Sequence, residues 1–377
     1  MNVRRLTTIL AFAVGLVLLG AAVPACADDV DDDGVDDAID VCDNTPRGTT
    51  VDAEGRPLGD VDQDCDTDLD DFALFRQEFT APIAPPGVVI DTVPVGNPGN
   101  ANDTEGDGYG GVAYTYNIGK YEVTAGQYTA FLNAVAATDT YGLYNTNMWS
   151  NSYGCKIERA GSSPNYTYSV APDWPDRPVS FVGWGDAARF ANWLHNGQPT
   201  GAQDLGTTED GSYYLNGAIN KAALMAVVRE PDATWVIPSE DEWYKAAHHY
   251  NDGVTGNYFD YSTNSDTIPS NDLIDPDPGN NATYYDGVWP DSAGFTTPYY
   301  RTEVGAHENS NSPYDTFDQD GNVSEWNEAA VAAVGSYRGL RGGSFYYYYG
   351  FLHAGNRYFA YPNHAYYFIG FRVAEVP

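Results

Sequence analysis

Apolar positions recur at helical spacing in several places along this chain. Tyr128, Phe131, Leu132 and Val135 fall on one face, and Thr124 with Gln127 ahead of them makes the Thr-x-x-Gln pair that caps a helix start. Ala187, Phe190, Ala191 and Leu194 predict a helix over residues 186–195, while Ser239 and Glu242 form a second capping pair before Trp243, Ala246 and Ala247. His248-His249 reads as the exposed end of that helix. Phe72, Phe75 and Phe79 predict a shorter helix near the N-terminus. The first residues differ in kind: an apolar run over 9–23 follows Arg4 and Arg5 and ends at Ala25-Cys26-Ala27, which reads as a secretory signal over 1–27. Lipidation at Cys26 is the alternative, and Pro24 fits it poorly. No other stretch reaches the roughly 18 apolar residues that span a membrane. Residues 251–313 are rich in Gly, Asn, Asp and Pro, with no period, and predict a long irregular segment.

Near the C-terminus the pattern breaks in another way. Between Arg341-Gly342-Gly343-Ser344 and Gly370-Phe371-Arg372-Val373, the 24 residues 345–368 contain 12 Phe or Tyr. No strand needs four consecutive tyrosines. In extended chain, side chains alternate, so Tyr346 and Tyr348 would share one face and Tyr347 and Tyr349 the other. Tyr combines large area, few rotors and a hydroxyl, which suits binding surfaces. The candidate contact residues are Tyr346, Tyr347, Tyr348, Tyr349, Tyr358, Phe359, Tyr361, His364, Tyr366 and Tyr367, with Tyr346, Tyr348, Tyr358, Tyr361, Tyr366 and Tyr367 expected to form a contiguous exposed patch. The competing reading is a Tyr-rich hairpin that merely packs.

The net charge of −35 argues against a nucleic-acid partner, whose phosphates would be repelled. Residues 28–71 carry 18 of the acids. Asp29, Asp31, Asp33, Gly34, Asp37, Asp40 and Cys42 follow a D-x-D-x-D-G-x-x-D-x-x-D-x-C spacing, and alternate carboxylates in a loop converge on a hard cation. Asp60, Asp62, Asp64, Asp66 and Asp71 fall at the ligand positions of an EF-type loop. The first pattern resembles thrombospondin type 3 repeats and the second a dockerin repeat, with Cys65 where Gly is preferred and Asp in place of the bidentate Glu. A calcium-dependent module over 28–79 is therefore expected. Cys42 and Cys65, one per motif in a secreted chain, are expected to pair, leaving Cys155 as a buried thiol. A Pro-rich linker over 80–86 leads to a large domain over 87–377.

Several segments of that domain resemble the formylglycine-generating enzyme (sulfatase-modifying factor) family, in the family's order. They are Lys120-Tyr121-Glu122-Val123-Thr124; Arg177-Pro178-Val179-Ser180-Phe181-Val182-Gly183-Trp184-Gly185-Asp186-Ala187; Ile237-Pro238-Ser239-Glu240-Asp241-Glu242-Trp243; Asp320-Gly321-Asn322-Val323-Ser324-Glu325-Trp326; and the Arg-Gly-Gly-Ser and Gly-Phe-Arg-Val pair. The resemblance implies an α+β fold, a variant of the C-type-lectin-like domain with much irregular chain. It also implies calcium held by the Asp318 and Glu325 side chains and the Gly321 and Val323 carbonyls. A second family calcium uses an Asn after an Ala, where this chain has Thr283 after Ala282.

The family's enzymes oxidise a sulfatase cysteine through copper(I) on two thiolates. The corresponding positions here are Tyr347 and Leu352, neither of which supplies a thiolate, so no copper is expected. An iron-dependent relative would need a His-rich helical domain, and only six His are present. The segment also resembles retroelement-diversified variable proteins on this fold, whose randomised Asn codons end in C. Such codons never encode Trp, Met, Lys, Gln or Glu, and residues 346–368 contain none of the five. The expected function is a secreted, extracellular or periplasmic, non-catalytic binding protein with a protein, peptide or glycan ligand. The alternatives are a formylglycine-generating oxidoreductase and a structural cell-envelope component.

Overall fold

Thr124 stops the extended chain and starts the first helix. Its side chain accepts the Gln127 N–H at 3.2 Å while Gln127 accepts the Thr124 N–H at 2.9 Å. The helix α1, Ala125–Val135, then buries Tyr128, Phe131, Leu132 and Val135. The computed structural model describes residues 35, 41–42, 50–51, 56–57, 65, 87–104, 108–287, 299–331 and 336–377. It divides into two compact units, Met1–Pro85 and Pro86–Pro377.

In the first unit Cys42 and Cys65 are joined by a disulfide, and Val51 pairs with Pro57 in an antiparallel bridge. The signal segment, the Pro-rich linker and both Asp ladders (Asp29, Asp31, Asp33, Asp37 and Asp40; Asp60, Asp62, Asp64, Asp66 and Asp71) lie outside the described residues.

The second unit mixes helices and sheets. Strands β1 (Thr92–Val95) and β2 (Tyr116–Gly119) form a hairpin with Val95 opposite Tyr116. Two short elements follow: α2 (Asn147–Ser150), then the hairpin β3 (Ile157–Ala160) with β4 (Thr167–Val170). Helix α3 spans Trp184–His195, starting two residues earlier than its apolar spacing predicts, because Trp184 and Gly185 also turn into the core. Helix α4 (Lys221–Ala226) and strand β5 (Trp235–Val236) lead to α5 (Glu240–His248), capped by the predicted Ser239–Glu242 pair. Strands β6 (Ser324–Val331), β7 (Tyr337–Arg341), β8 (Tyr358–Ala360) and β9 (Ile369–Gly370) make a sheet in the order β8-β7-β6-β9. The last strand, β10 (Ala374–Glu375), returns between β2 and β5 and completes the first sheet. Between α5 and β6 the described chain is irregular, as composition predicts.

One large core joins these layers. Tyr128, Phe131, Phe190, Trp193 and Phe371 meet ring to ring, with Phe131–Phe190 centroids 5.3 Å apart. Burying such rings contributes roughly 1.5–3 kcal/mol each. Cys155 is a buried free thiol in this core.

His248 and His249 correct the sequence reading. They are 1% and 0% exposed. The chain after α5 folds back, with Phe259 N–H donating to His248 O and Tyr250 N–H to Asn257 O, and it covers both rings. His249 Nδ1 lies 2.8 Å from the Tyr314 hydroxyl.

Candidate functional site

The aromatic segment is held at both ends by buried arginines. At its start, Arg341 at the end of β7 donates through Nε to Glu240 Oε1 at 2.9 Å and through Nη1 to the carbonyls of Ala354 and Asn356. Arg357, inside the segment, takes the same Glu240 carboxylate at 2.6 and 2.7 Å. At its end, Arg372 meets Glu325 in a two-point ion pair at 2.6 and 2.7 Å, with both side chains fully buried. Gly342 has φ +90°, and a Cβ there would sit 2.2 Å from the Gln319 carbonyl, so only glycine fits this bend.

Between these anchors the chain does not run extended. Tyr347 N–H donates to Ser344 O at 3.1 Å, and a 3₁₀ turn follows at Tyr349–Phe351. Two-residue alternation therefore fails. Tyr346, Tyr348 and Tyr349 are all exposed, and only Tyr347 turns partly inward, stacking on Phe351 at 4.6 Å. Tyr358 and Tyr366 are exposed too. These five tyrosines range from 39% to 54%. Phe359, Tyr361, His364 and Tyr367 are half-buried, so the exposed set differs from the sequence expectation at Tyr349, Tyr361 and Tyr367.

The half-buried rings support the exposed ones. Tyr367 lies 5.0 Å from both Tyr346 and Tyr153, and buried Phe368 stacks with Tyr366 at 5.4 Å. Tyr361 stacks on Tyr337 at 4.4 Å with their hydroxyls hydrogen-bonded. Such contacts fix ring orientation at about 0.5–1.5 kcal/mol each. Tyr285 and Tyr153, which sequence reading did not include, extend the surface: Tyr285 lies 5.2 Å from Tyr348. No local pattern marks either, since each comes from a distant loop.

The two positions of the family's copper thiolates do not fit copper. Tyr347 presents a phenol, pushed up in pKa chiefly by burial, and Leu352 sits in an apolar cluster with Tyr261, Ala282 and Tyr284. Neither is a soft ligand.

Oxygen ligands are a different matter. Asp318 accepts the Gly305 N–H at 2.6 Å, and burial raises its carboxyl to about 6. Glu325 Oε2 already takes Arg372 and the Trp243 indole N–H. Glu122, from the Lys-Tyr-Glu-Val-Thr segment, is 2% exposed and its Oε1 has no hydrogen-bond partner. Burial first, then the charges of Asp318 and Glu325, push its pKa well up. Asn322 Oδ1 is likewise buried and unpartnered. Among the described residues no group of three or more His, Cys, Asp or Glu is arranged to hold a metal. The orphaned oxygen of Glu122 beside Asp318, with Asn322 Nδ2 3.5 Å from the other Glu122 oxygen, nevertheless has the hard-donor chemistry that suits a hard cation. Sequence reading missed Glu122 and Asn322. The available signal was a carboxylate between Tyr121 and Val123.

Among the described residues no helix is long and apolar enough to cross a membrane. No curated protein matches the chain. Solved structures do. CarF aligns over 77% of this chain and 99% of its own, at 22% identity and a TM-score of 0.48. Treponema denticola variable protein 1 aligns over 77% and 96%, at 20% identity and 0.47. PvdO from Pseudomonas aeruginosa aligns over 77% and 93%, at 18% identity and 0.39. Residues 101–376 match the sulfatase-modifying factor enzyme 1-like domain, and the chain belongs to that family.

Proposed function

We propose that this protein is a non-catalytic member of its family that binds a ligand through the tyrosine-rich surface. The observation that carries the reading is the exposure of Tyr346, Tyr348, Tyr349, Tyr358 and Tyr366 on a segment whose ends are fixed by buried ion pairs. Anchored ends and mutually packed rings lower the entropy lost on binding, which is how preorganised faces gain affinity. Exposed aromatic clusters of this kind are the usual hot spots of interfaces. The protein acts outside the cytoplasm, delivered by the signal at 1–27. Calcium is its structural ion, in the acidic N-terminal module and at the Asp318 turn, where Asp318, Glu122, Asn322 and the Gly321 and Val323 carbonyls would hold it; Glu325, paired with Arg372, orders that turn. The oxidase reading is disfavoured because Tyr347 and Leu352 occupy the thiolate positions.

The test is capture of partners by the full chain, compared with a Tyr348→Ala/Tyr358→Ala/Tyr366→Ala variant of equal stability. Loss of a partner on substitution supports the surface. Partners retained unchanged by the variant would sink it.

A further inference from the structure

Beside the tyrosine surface lies a cavity of about 370 Å³, lined on one side by Pro362, Asn363 and Ala365 of the aromatic segment. Its other lining residues include Tyr141 and Asn145, together with Asp186 and Arg189 from the first turns of α3. Arg189 brings no net charge, because the buried Glu209 carboxylate holds its Nε and Nη2 at 2.6 and 2.8 Å. Asp186 is therefore the one charged side chain on the lining without a direct ion-pair partner. One of its oxygens accepts the Gly183 N–H at 2.7 Å, and the other takes no hydrogen bond from a described residue.

We propose that this cavity receives a primary ammonium group, of the kind a lysine side chain carries, from the ligand bound at the tyrosine surface. The proposal rests on the binding-surface reading and names the chemistry of its partner. An ammonium is a compact charge with three donors, answered by the open Asp186 oxygen, the Asn363 amide oxygen and the Tyr141 phenol on the same lining, while Asn145 Oδ1 already accepts the Asn147 N–H at 3.0 Å. A neutral sugar can hydrogen-bond the carboxylate but leaves its charge uncompensated. The chain's charge of −35 draws cationic partners to the chain as a whole. The ligand is thus a peptide or protein with an exposed lysine; a glycan is the alternative outcome of the test.

The charged groups around Asp186 define a pH signature. Burial raises its carboxyl to about 7, Arg189 lowers it and Asp139 raises it. Asp139 is itself paired with Arg159 at 3.1 Å, and Lys221 on α4 sits over the Tyr361 ring at 4.3 Å. An ammonium binds the ionised form, so affinity rises from pH 6 to pH 8.

The experiment titrates the full chain with Nα-acetyl-lysine methylamide, followed by NMR or calorimetry. We expect a dissociation constant on the order of millimolar at pH 8, roughly tenfold weaker at pH 6, no binding of the Nε-acetylated analogue, and loss of binding in Asp186→Asn. Asn still accepts the Gly183 N–H, so the helix start is kept; should that variant not fold, the two wild-type comparisons decide. No binding up to about 50 mM, equal binding of the acetylated analogue, or no pH response overturns the ammonium site. A glycan partner that leaves the lysine probe unbound does the same. None of these outcomes touches the tyrosine surface, which stands or falls on its own substitutions.

Discussion

Arg372 and Glu325 face each other across the core with two contacts at 2.6 and 2.7 Å, both wholly buried, and the remaining guanidinium donors reach the carbonyls of Gly119, Lys120 and Phe317. One side chain thus ties the last sheet to the first and closes the tyrosine segment. Arg372→Ala leaves a buried carboxylate uncompensated and should cost roughly 3–5 kcal/mol. Urea unfolding of the full chain measures this. A loss below about 1 kcal/mol would mean the pair behaves as a surface one and does not anchor the segment.

Within the segment, stability and binding should separate by burial. Phe345 is fully buried against Tyr153, Tyr300 and Tyr367, so Phe345→Ala should cost roughly 3–5 kcal/mol. Tyr348 is 54% exposed, so Tyr348→Ala should change stability by about 0.5 kcal/mol or less. On a captured partner the exposed Tyr348 should cost roughly 2 kcal/mol or more. Denaturation curves and binding isotherms on the same two variants check both halves.

These assignments divide along a physical line. The capping pairs at Thr124 and Ser239 are local, and their helices could be read from spacing alone. The frame residues Arg341 and Arg372 were legible because their motifs are contiguous. His248 and His249 were misread because their burial depends on residues 250–259 folding back, which no local period encodes. The turn after Ser344 breaks the alternation that strand geometry assumes, which puts Tyr349 on the exposed side together with Tyr346 and Tyr348. Asp186 was visible as a helix-start residue. Its cavity was not, since the far wall comes from Pro362, Asn363 and Ala365, far along the chain.

Two buried histidines give the large unit an acid limit. Burial lowers His248 to about 3 and His307 to about 4, with Arg341 and His353 also disfavouring the charged His248. Both are held below the unfolded value near 6.5. Between those values the unfolded chain binds more protons than the folded one, so stability is full above about pH 6.5 and falls as pH drops through that window. Thermal unfolding from pH 7 to pH 4 should show this decline, and His307→Gln should flatten it. An unchanged slope in the variant would assign the acid loss elsewhere.

Copper chemistry offers a direct check on the catalytic alternative. With Tyr347 and Leu352 at the thiolate positions and Cys155 buried, the purified chain incubated with Cu(I) and a sulfatase peptide should give no formylglycine above background. Turnover, detected by mass spectrometry, would restore the oxidase reading.

Calcium should reverse the sign of one substitution. Glu122 is a buried carboxylate with an unpartnered oxygen, beside Asp318 and near Glu325. Without a cation, like charges in a poorly hydrated site repel, and the lone oxygen adds its desolvation cost. Glu122→Gln keeps the shape and removes the cost of either burying the charge or taking up a proton on folding, so in chelator it should raise the melting temperature of the large unit. With calcium present, the wild type gains a term that grows with the ratio of free ion to dissociation constant, about 2.7 kcal/mol at a hundredfold excess, and the variant loses most of it. The order of stability should therefore cross between chelator and millimolar calcium. The acidic N-terminal ladders contribute equally to both chains, so the comparison isolates the Asp318 turn. If Glu122→Gln and wild type shift in parallel with calcium, the turn holds no cation, and the orphaned oxygens need another partner.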